Sequence, residues 1–139
     1  MLPENPFNHI IQVSCAIIIQ NNKVLAVQRG ANMKMAGKWE FPGGKLEEGE
    51  TPSQCIVREI FEELSMTIQV EEEWPSTIHQ YNDFQIELIP LRCYTAQTSP
   101  ILKEHHDFRW LNSESLFWVD WAEADIPILD KVANLLLSA

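Results

Sequence analysis

A glycine turn that runs straight into an acidic helix constrains this chain more than any other feature. Residues 44–66 read G-K-L-E-E-G-E-T-P-S-Q-C-I-V-R-E-I-F-E-E-L-S-M. Thr51 and Pro52 supply an N-cap and a first helical residue, positions where both are favoured. Cys55, Ile56, Ile60 and Leu64 then form an inward stripe, which leaves the acidic face outward. On that face Glu59, Glu62 and Glu63 stand at i, i+3 and i+4, so they are neighbours. Like charges at that spacing weaken a helix by about 0.2–0.5 kcal/mol per pair. A cation that neutralises them relieves the repulsion, and the oxygen-loving ions Mg²⁺ or Mn²⁺ suit carboxylates. A solvated acidic helix face is the ordinary alternative for such a triplet.

Written as G-x5-E-x7-R-E-U-x-E-E-x-G-U, with U aliphatic, the same stretch resembles the Nudix box of hydrolases that act on nucleoside-diphosphate-linked substrates. Gly44, Glu50, Arg58, Glu59, Ile60, Glu62, Glu63 and Met66 all fall in place. One position departs: Ser65 stands where the family has glycine. That glycine closes the helix in a left-handed conformation, and serine there costs on the order of 1 kcal/mol. No carboxylate is lost, so the departure bears on stability rather than chemistry.

The rest of the chain sets bounds. With 139 residues it reads as one domain, 1–139, long enough to bury a core, and 45% hydrophobic with 22% charged residues is an ordinary globular balance. No apolar run is long enough for a membrane span. The start, M-L-P-E-N-P-F-N-H, lacks the basic and apolar regions of a signal peptide, so a cytoplasmic location is expected. Cys15, Cys55 and Cys93 are widely spaced, form no metal-type pair, and read as reduced, mostly buried thiols. A net charge of −10 with no basic stripe argues against a nucleic-acid polymer as partner. A small anion remains open to an acidic protein when metal ions mediate.

Val13–Gln20 is an apolar, β-branched run and reads as a buried strand, followed by a turn at Asn21-Asn22-Lys23 and a second strand, Val24–Gln28. Trp39–Phe41 is a short extended piece before a turn at Pro42-Gly43-Gly44. Strands are expected at Met66–Val70, Ser76–Gln80, Phe84–Ala96 (broken by Pro90) and Asp107–Leu111. Ser113–Phe117 reads as a helical turn. Ala124–Leu137 reads as a closing amphipathic helix with Ile128, Val132 and Leu136 on one face. This order predicts an α/β fold, a mixed sheet with helices on both faces. The resemblance implies the Nudix α/β/α sandwich and covers Ile11 to Leu137.

Hydrolysing a pyrophosphate needs an attacking water and neutralised phosphate charge, and carboxylate-held divalent ions supply both. Glu59, Glu62 and Glu63 provide a ligand face, and the Gly43 carbonyl can join it because no side chain blocks the approach. Glu59, Glu62 and Glu104 are all candidates for the general base. In the family the counterparts of Glu50 and Arg58 pair to brace the loop, against the weaker alternative of a surface ion pair. Gln28-Arg29 and the run Met35–Lys45 look like the MutT-type branch, where the residues matching Arg29 and Lys45 approach phosphates. Glu40 and Phe41 in that run are further substrate-contact candidates. Glu104, in K-E-H-H-D-F-R-W, matches a loop glutamate that completes the metal site there. Solvated cations and an exposed loop acid are the bland alternatives.

His105 and His106 point to opposite sides if extended, and no third ligand stands near for zinc. His9 and His79 are isolated and read as structural. The five tryptophans read as core or edge packing, with Trp39 and Trp121 near expected substrate-facing segments. Asp125 falls where the branch places a base-reading side chain. A carboxylate there can accept from cytosine N4 or from guanine N1 and N2, or it can simply cap the final helix. The A-D-I-P-I-L segment looks more like the CTP pyrophosphohydrolase relatives than the 8-oxo-dGTP sanitising ones. The expected activity is therefore Mg²⁺- or Mn²⁺-dependent conversion of a nucleoside triphosphate, of cytidine type, to monophosphate and pyrophosphate by a monomer or homodimer. The alternatives are 8-oxo-dGTP or broad dNTP sanitation, and a nucleotide-sensing domain without turnover.

Overall fold

The computed structural model describes residues 10–137. Eight strands run in the order β1 (Ile10–Gln20), β2 (Lys23–Gln28), β3 (Trp39–Glu40), β4 (Gly43–Lys45), β5 (Gln69–Glu73), β6 (Thr77–Gln80), β7 (Gln85–Tyr94) and β8 (Asp107–Leu111). Helix α1 spans Pro52–Leu64 and α2 spans Leu129–Leu137. The spatial order is β3-β2-β1-β7-β5, with β4 beside β1, β6 beside β7 and β8 beside β2. β1 and β7 pair in parallel and the other pairs are antiparallel, so the sheet is mixed.

The apolar run of β1 is continuous because both faces of the sheet are covered. Successive side chains alternate sides. Cys15 and Ile17 join Leu88, Trp121, Val132 and Leu136 on the α2 side. Ala16 and Ile18 join Ile56, Ile60, Leu64 and Leu91 on the α1 side. Asn21 and Asn22 both take positive φ, 51° and 62°, the pattern of a two-residue hairpin turn matched to sheet twist. The α/β sandwich expected from the sequence is the fold observed.

Several elements differ in detail. Gly43 and Gly44 do not form a turn: with Lys45 they pair against Cys15, Ser14 and Val13 as strand β4. The strand expected at Met66–Val70 starts only at Gln69, because Met66 and Ile68 turn their side chains into the core. Pro90 does not break β7. Its missing N–H falls opposite the gap between β5 and β6, and its carbonyl accepts from Trp74 N–H at 2.8 Å. The turn expected at Ser113–Phe117 is a 3-10 turn over Ser115–Trp118. The closing helix divides at Pro127 into a 3-10 segment, Glu123–Ile128, and α2, where Val132 and Leu136 are buried. Trp118 is 77% exposed and packs in no core. His9 lies outside the described residues.

Candidate active site

Helix α1 is set in register by its ends. Gln54 N–H donates to Thr51 Oγ1 at 3.1 Å, and Thr51 N–H donates to Gln54 Oε1 at 3.0 Å, a reciprocal cap. At the other end Ser65 takes the left-handed conformation (φ 52°, ψ 36°) with its N–H on the Phe61 carbonyl at 3.0 Å. Between these ends the inward stripe Cys55, Ile56, Ile60 and Leu64 is buried. That burial fixes which way the charged residues face.

Arg58 organises the charges. Its Nε and Nη2 donate to the two Glu50 oxygens at 2.7 and 2.9 Å. This two-pronged bond holds the Glu50 carboxyl at about 2 and keeps the guanidinium charged. Arg58 Nη1 also reaches Glu59 at 3.0 Å and Glu62 at 3.1 Å. The acidic face is therefore not uniformly outward. Only the Glu62 side chain is well exposed, at 57%, whereas Glu59 is 15% exposed. Glu59 lies over Gly44, where any Cβ would overlap its carboxylate. Gly43 has no such room either, because a Cβ there would collide with the Ser14 carbonyl of β1.

Glu63 turns the other way, into a cavity of about 450 Å³. Its Oε2 is buried with no partner among the described residues. Burial, reinforced by Glu59, Glu40 and Glu104, pushes its carboxyl up to about 8. Glu63, Gly43, Gly44, Lys45, Arg29 and Glu40 line this cavity. Phe41, Tyr81, Phe84, His105 and Asp125 line it too. Glu40 is shared: Oε1 lies 2.7 Å from Arg29 Nη1 and Oε2 lies 3.0 Å from His105 Nε2.

Asp125 is buried, and its Oδ2 accepts the Phe41 N–H at 2.8 Å. It caps no helix, since the 3-10 segment has no side-chain cap and α2 begins four residues later. Burial first, then the Glu40 charge, pushes its carboxyl up to about 8 against the Phe41 hydrogen bond and Arg29. Trp39 and Trp121 do not line the cavity. Trp121 packs on Phe41 from behind, with ring centroids 4.6 Å apart. Tyr81, Phe84, His105 and the segment Met33–Met35 are cavity residues that sequence reasoning did not assign there. Tyr81 and Phe84 share the β6–β7 turn, and the sheet order brings that turn to His105 and to residues 33–35.

The glycine-helix geometry and its cavity coincide with a known domain type: the model of the NUDIX domain matches residues 14–131. The chain belongs to the Nudix hydrolase family. It is 33% identical over 126 residues to the 8-oxo-dGTP diphosphatase of Escherichia coli K12, covering 90% of this chain and 98% of that protein. It is 35% identical over 126 residues to the CTP pyrophosphohydrolase of the same organism, covering 91% and 93%. The solution structure of the E. coli ORF135 protein superposes with a TM-score of 0.76 at 34% identity, covering 94% of this chain and 92% of that one. The MutT protein of Methanosarcina mazei Go1 shares the Nudix fold at a TM-score of 0.81 and 20% identity, over 91% and 95% of the chains.

Nudix hydrolases generally use divalent cations, and the residues here fit one. No three acidic, histidine or cysteine side chains already converge on a common point among the described residues, and Arg58 engages both Glu59 and Glu62. The donors are nonetheless hard carboxylate oxygens. The partnerless Glu63 oxygen and the space that Gly44 leaves for the Glu59 carboxylate are both features a cation would exploit.

Proposed function

We propose that this Nudix hydrolase converts a nucleoside triphosphate of cytidine type and water to the monophosphate and pyrophosphate. The observation that carries the reading is that Asp125, Glu63 and the phosphate-contact candidates Arg29 and Lys45 all line one cavity. A nucleotide laid along the cavity meets a carboxyl group at its base and acidic helix residues at its phosphates. Held uncharged by burial, Asp125 offers both an O–H donor and an acceptor. Cytosine presents the complementary pair, N3 as acceptor and N4–H as donor.

Gly43 through its carbonyl, with Glu59, Glu62, Glu63 and Glu104, would hold Mg²⁺ or Mn²⁺. Such an ion, when bound, neutralises phosphate charge and acidifies water. Arg29 and Lys45 would contact the phosphates, and Glu40 fixes Arg29. Glu50 and Arg58 brace the loop against α1. Phe41 presents its N–H to Asp125, and its ring is backed by Trp121. The proton acceptor is one of Glu59, Glu62 and Glu104.

A second reading, 8-oxo-dGTP hydrolysis, is favoured by the E. coli relative of that name, which this chain covers almost end to end. A panel of CTP, dCTP, 5-methyl-dCTP, 8-oxo-dGTP, dGTP and ADP-ribose with MgCl₂, scored for monophosphate and pyrophosphate, separates them. Highest kcat/KM on cytidine nucleotides supports the first reading. Highest kcat/KM on 8-oxo-dGTP overturns the base assignment and keeps the reaction type.

A further inference from the structure

His105 is nearly enclosed, with its side chain 2% exposed, and it lines the cavity. Its Nε2 sits 3.0 Å from Glu40 Oε2, while Nδ1 is buried with no partner among the described residues. A buried imidazole with one unmatched nitrogen is a poor space-filler: an aromatic hydrocarbon would occupy the volume without that cost. The bond to Glu40 is what the imidazole adds.

Two further constraints converge on the same three residues. His106 N–H donates to the Gln28 carbonyl at 2.9 Å. Gly30 lacks the Cβ that would collide with the Glu104 carbonyl. The backbone of residues 104–106 is therefore pinned to both flanks of the 30–38 loop: by the main-chain bond to the end of β2, by contact at Gly30, and by the His105 side chain to Glu40 in β3. Arg29, at the head of that loop, has Nη1 committed to Glu40 and Nε to the Lys34 carbonyl. Its Nη2 makes no hydrogen bond within the described residues. An arginine with two donors locked and one edge open is a preset fork for an anion.

We propose that His105 is a positioning residue. Acting through Glu40, it holds the open edge of Arg29 and the Glu104 segment in one fixed relation, so that both address the same bound nucleotide. The inference rests on the hydrolase reading given above. It assigns His105 no contact with the reacting atoms.

The test compares wild type, H105F, H105Q, H105N, E40Q and the H105F/E40Q double variant. Readouts are melting temperature, kcat and KM on the best substrate of the panel, and Mn²⁺ affinity of the nucleotide-free protein by electron paramagnetic resonance. Glutamine carries its amide nitrogen to about the reach of Nε2, and asparagine does not. Expected are a loss of about 10–100-fold in kcat/KM for H105F and H105N with weakened Mn²⁺ binding, the range typical of groups that orient ligands. H105Q recovers most of both, and the double variant is no worse than the poorer single one, since both act through one bond. Wild-type behaviour in H105F, equal losses in H105Q and H105N, or additive losses in the double variant would overturn the proposal. Should H105F fail to fold, the H105Q and H105N pair decides alone. A wild type that hydrolyses no member of the panel sinks the reaction reading; weakened Mn²⁺ binding in H105N and its recovery in H105Q would then still uphold the positioning role.

Discussion

Phe41 and Asp125, 84 positions apart, are joined by one buried hydrogen bond of 2.8 Å from the Phe41 N–H to Asp125 Oδ2. This bond ties the segment before the box to the segment before the last helix and fixes one carboxyl oxygen. The folded protein holds the Asp125 proton up to about 8, far above the ordinary carboxylate range. A raised acid binds a proton in the native state that the unfolded chain has already released. Its contribution to stability is fully present below pH 4 and is lost as pH rises towards about 8. Glu63 is shifted in the same direction. Asp125→Asn keeps an acceptor for Phe41 and removes one of these two groups. Its melting temperature should fall less steeply than wild type between pH 5 and 8, read by differential scanning fluorimetry.

Glu50 behaves in the opposite sense. Held at about 2 by the Arg58 guanidinium, it contributes stability that is present above the ordinary carboxylate range and lost as pH falls from about 4.5 towards 2. Glu50→Gln should lose much of this acid-limb dependence, while Glu48→Gln serves as a control. Circular dichroism followed through acid titration reads the difference.

The buried, partnerless oxygen of Glu63 makes that side chain a liability to the metal-free fold. Glu63→Gln should melt no lower than wild type without metal, lose the stabilisation that MgCl₂ confers on wild type, and turn over at least about 100-fold more slowly. A variant that keeps wild-type turnover removes Glu63 from the metal site.

The two glycines of β4 should respond differently to alanine. At Gly44 the new methyl meets the Glu59 side chain, whose end can swing aside. Gly44→Ala should therefore fold and lose activity. At Gly43 the methyl meets the backbone of β1, which cannot move without breaking the β1–β4 ladder. Gly43→Ala should unfold at distinctly lower denaturant, so urea titration alongside activity separates the pair.

Ser65 occupies the left-handed region at the end of α1. Ser65→Gly should raise stability by about 1 kcal/mol in urea unfolding, because glycine adopts that conformation without the Cβ clash.

What the chain discloses follows the range of the physics involved. The box was legible because its spacing is local: Thr51, Pro52 and the Cys55–Leu64 stripe specify the helix and its face without reference to any other segment. The mixed sheet with helices on both faces was legible from the order of strands and helices, and the resemblance of the box supplied the sandwich. Pro90 was misread because the fault in pairing that accommodates it lies on the neighbouring strands, β5 and β6. The division at Pro127 was missed because its flanking residues continue the apolar spacing of a helix. The cavity beyond the box was hardest to read. Tyr81, Phe84 and His105 carry no shared spacing and meet only once β7 is laid beside β1.

That strand pair also sets a schedule. Ile10 to Ile18 are matched residue for residue with Gln85 to Cys93, a separation of 75 positions. A ribosome delivers β1 first, and its central apolar residues stay without their parallel neighbour until β7 has been made. Closing so long a loop late is a slow step. During synthesis the exposed first strand is where this chain is open to chaperones and to aggregation.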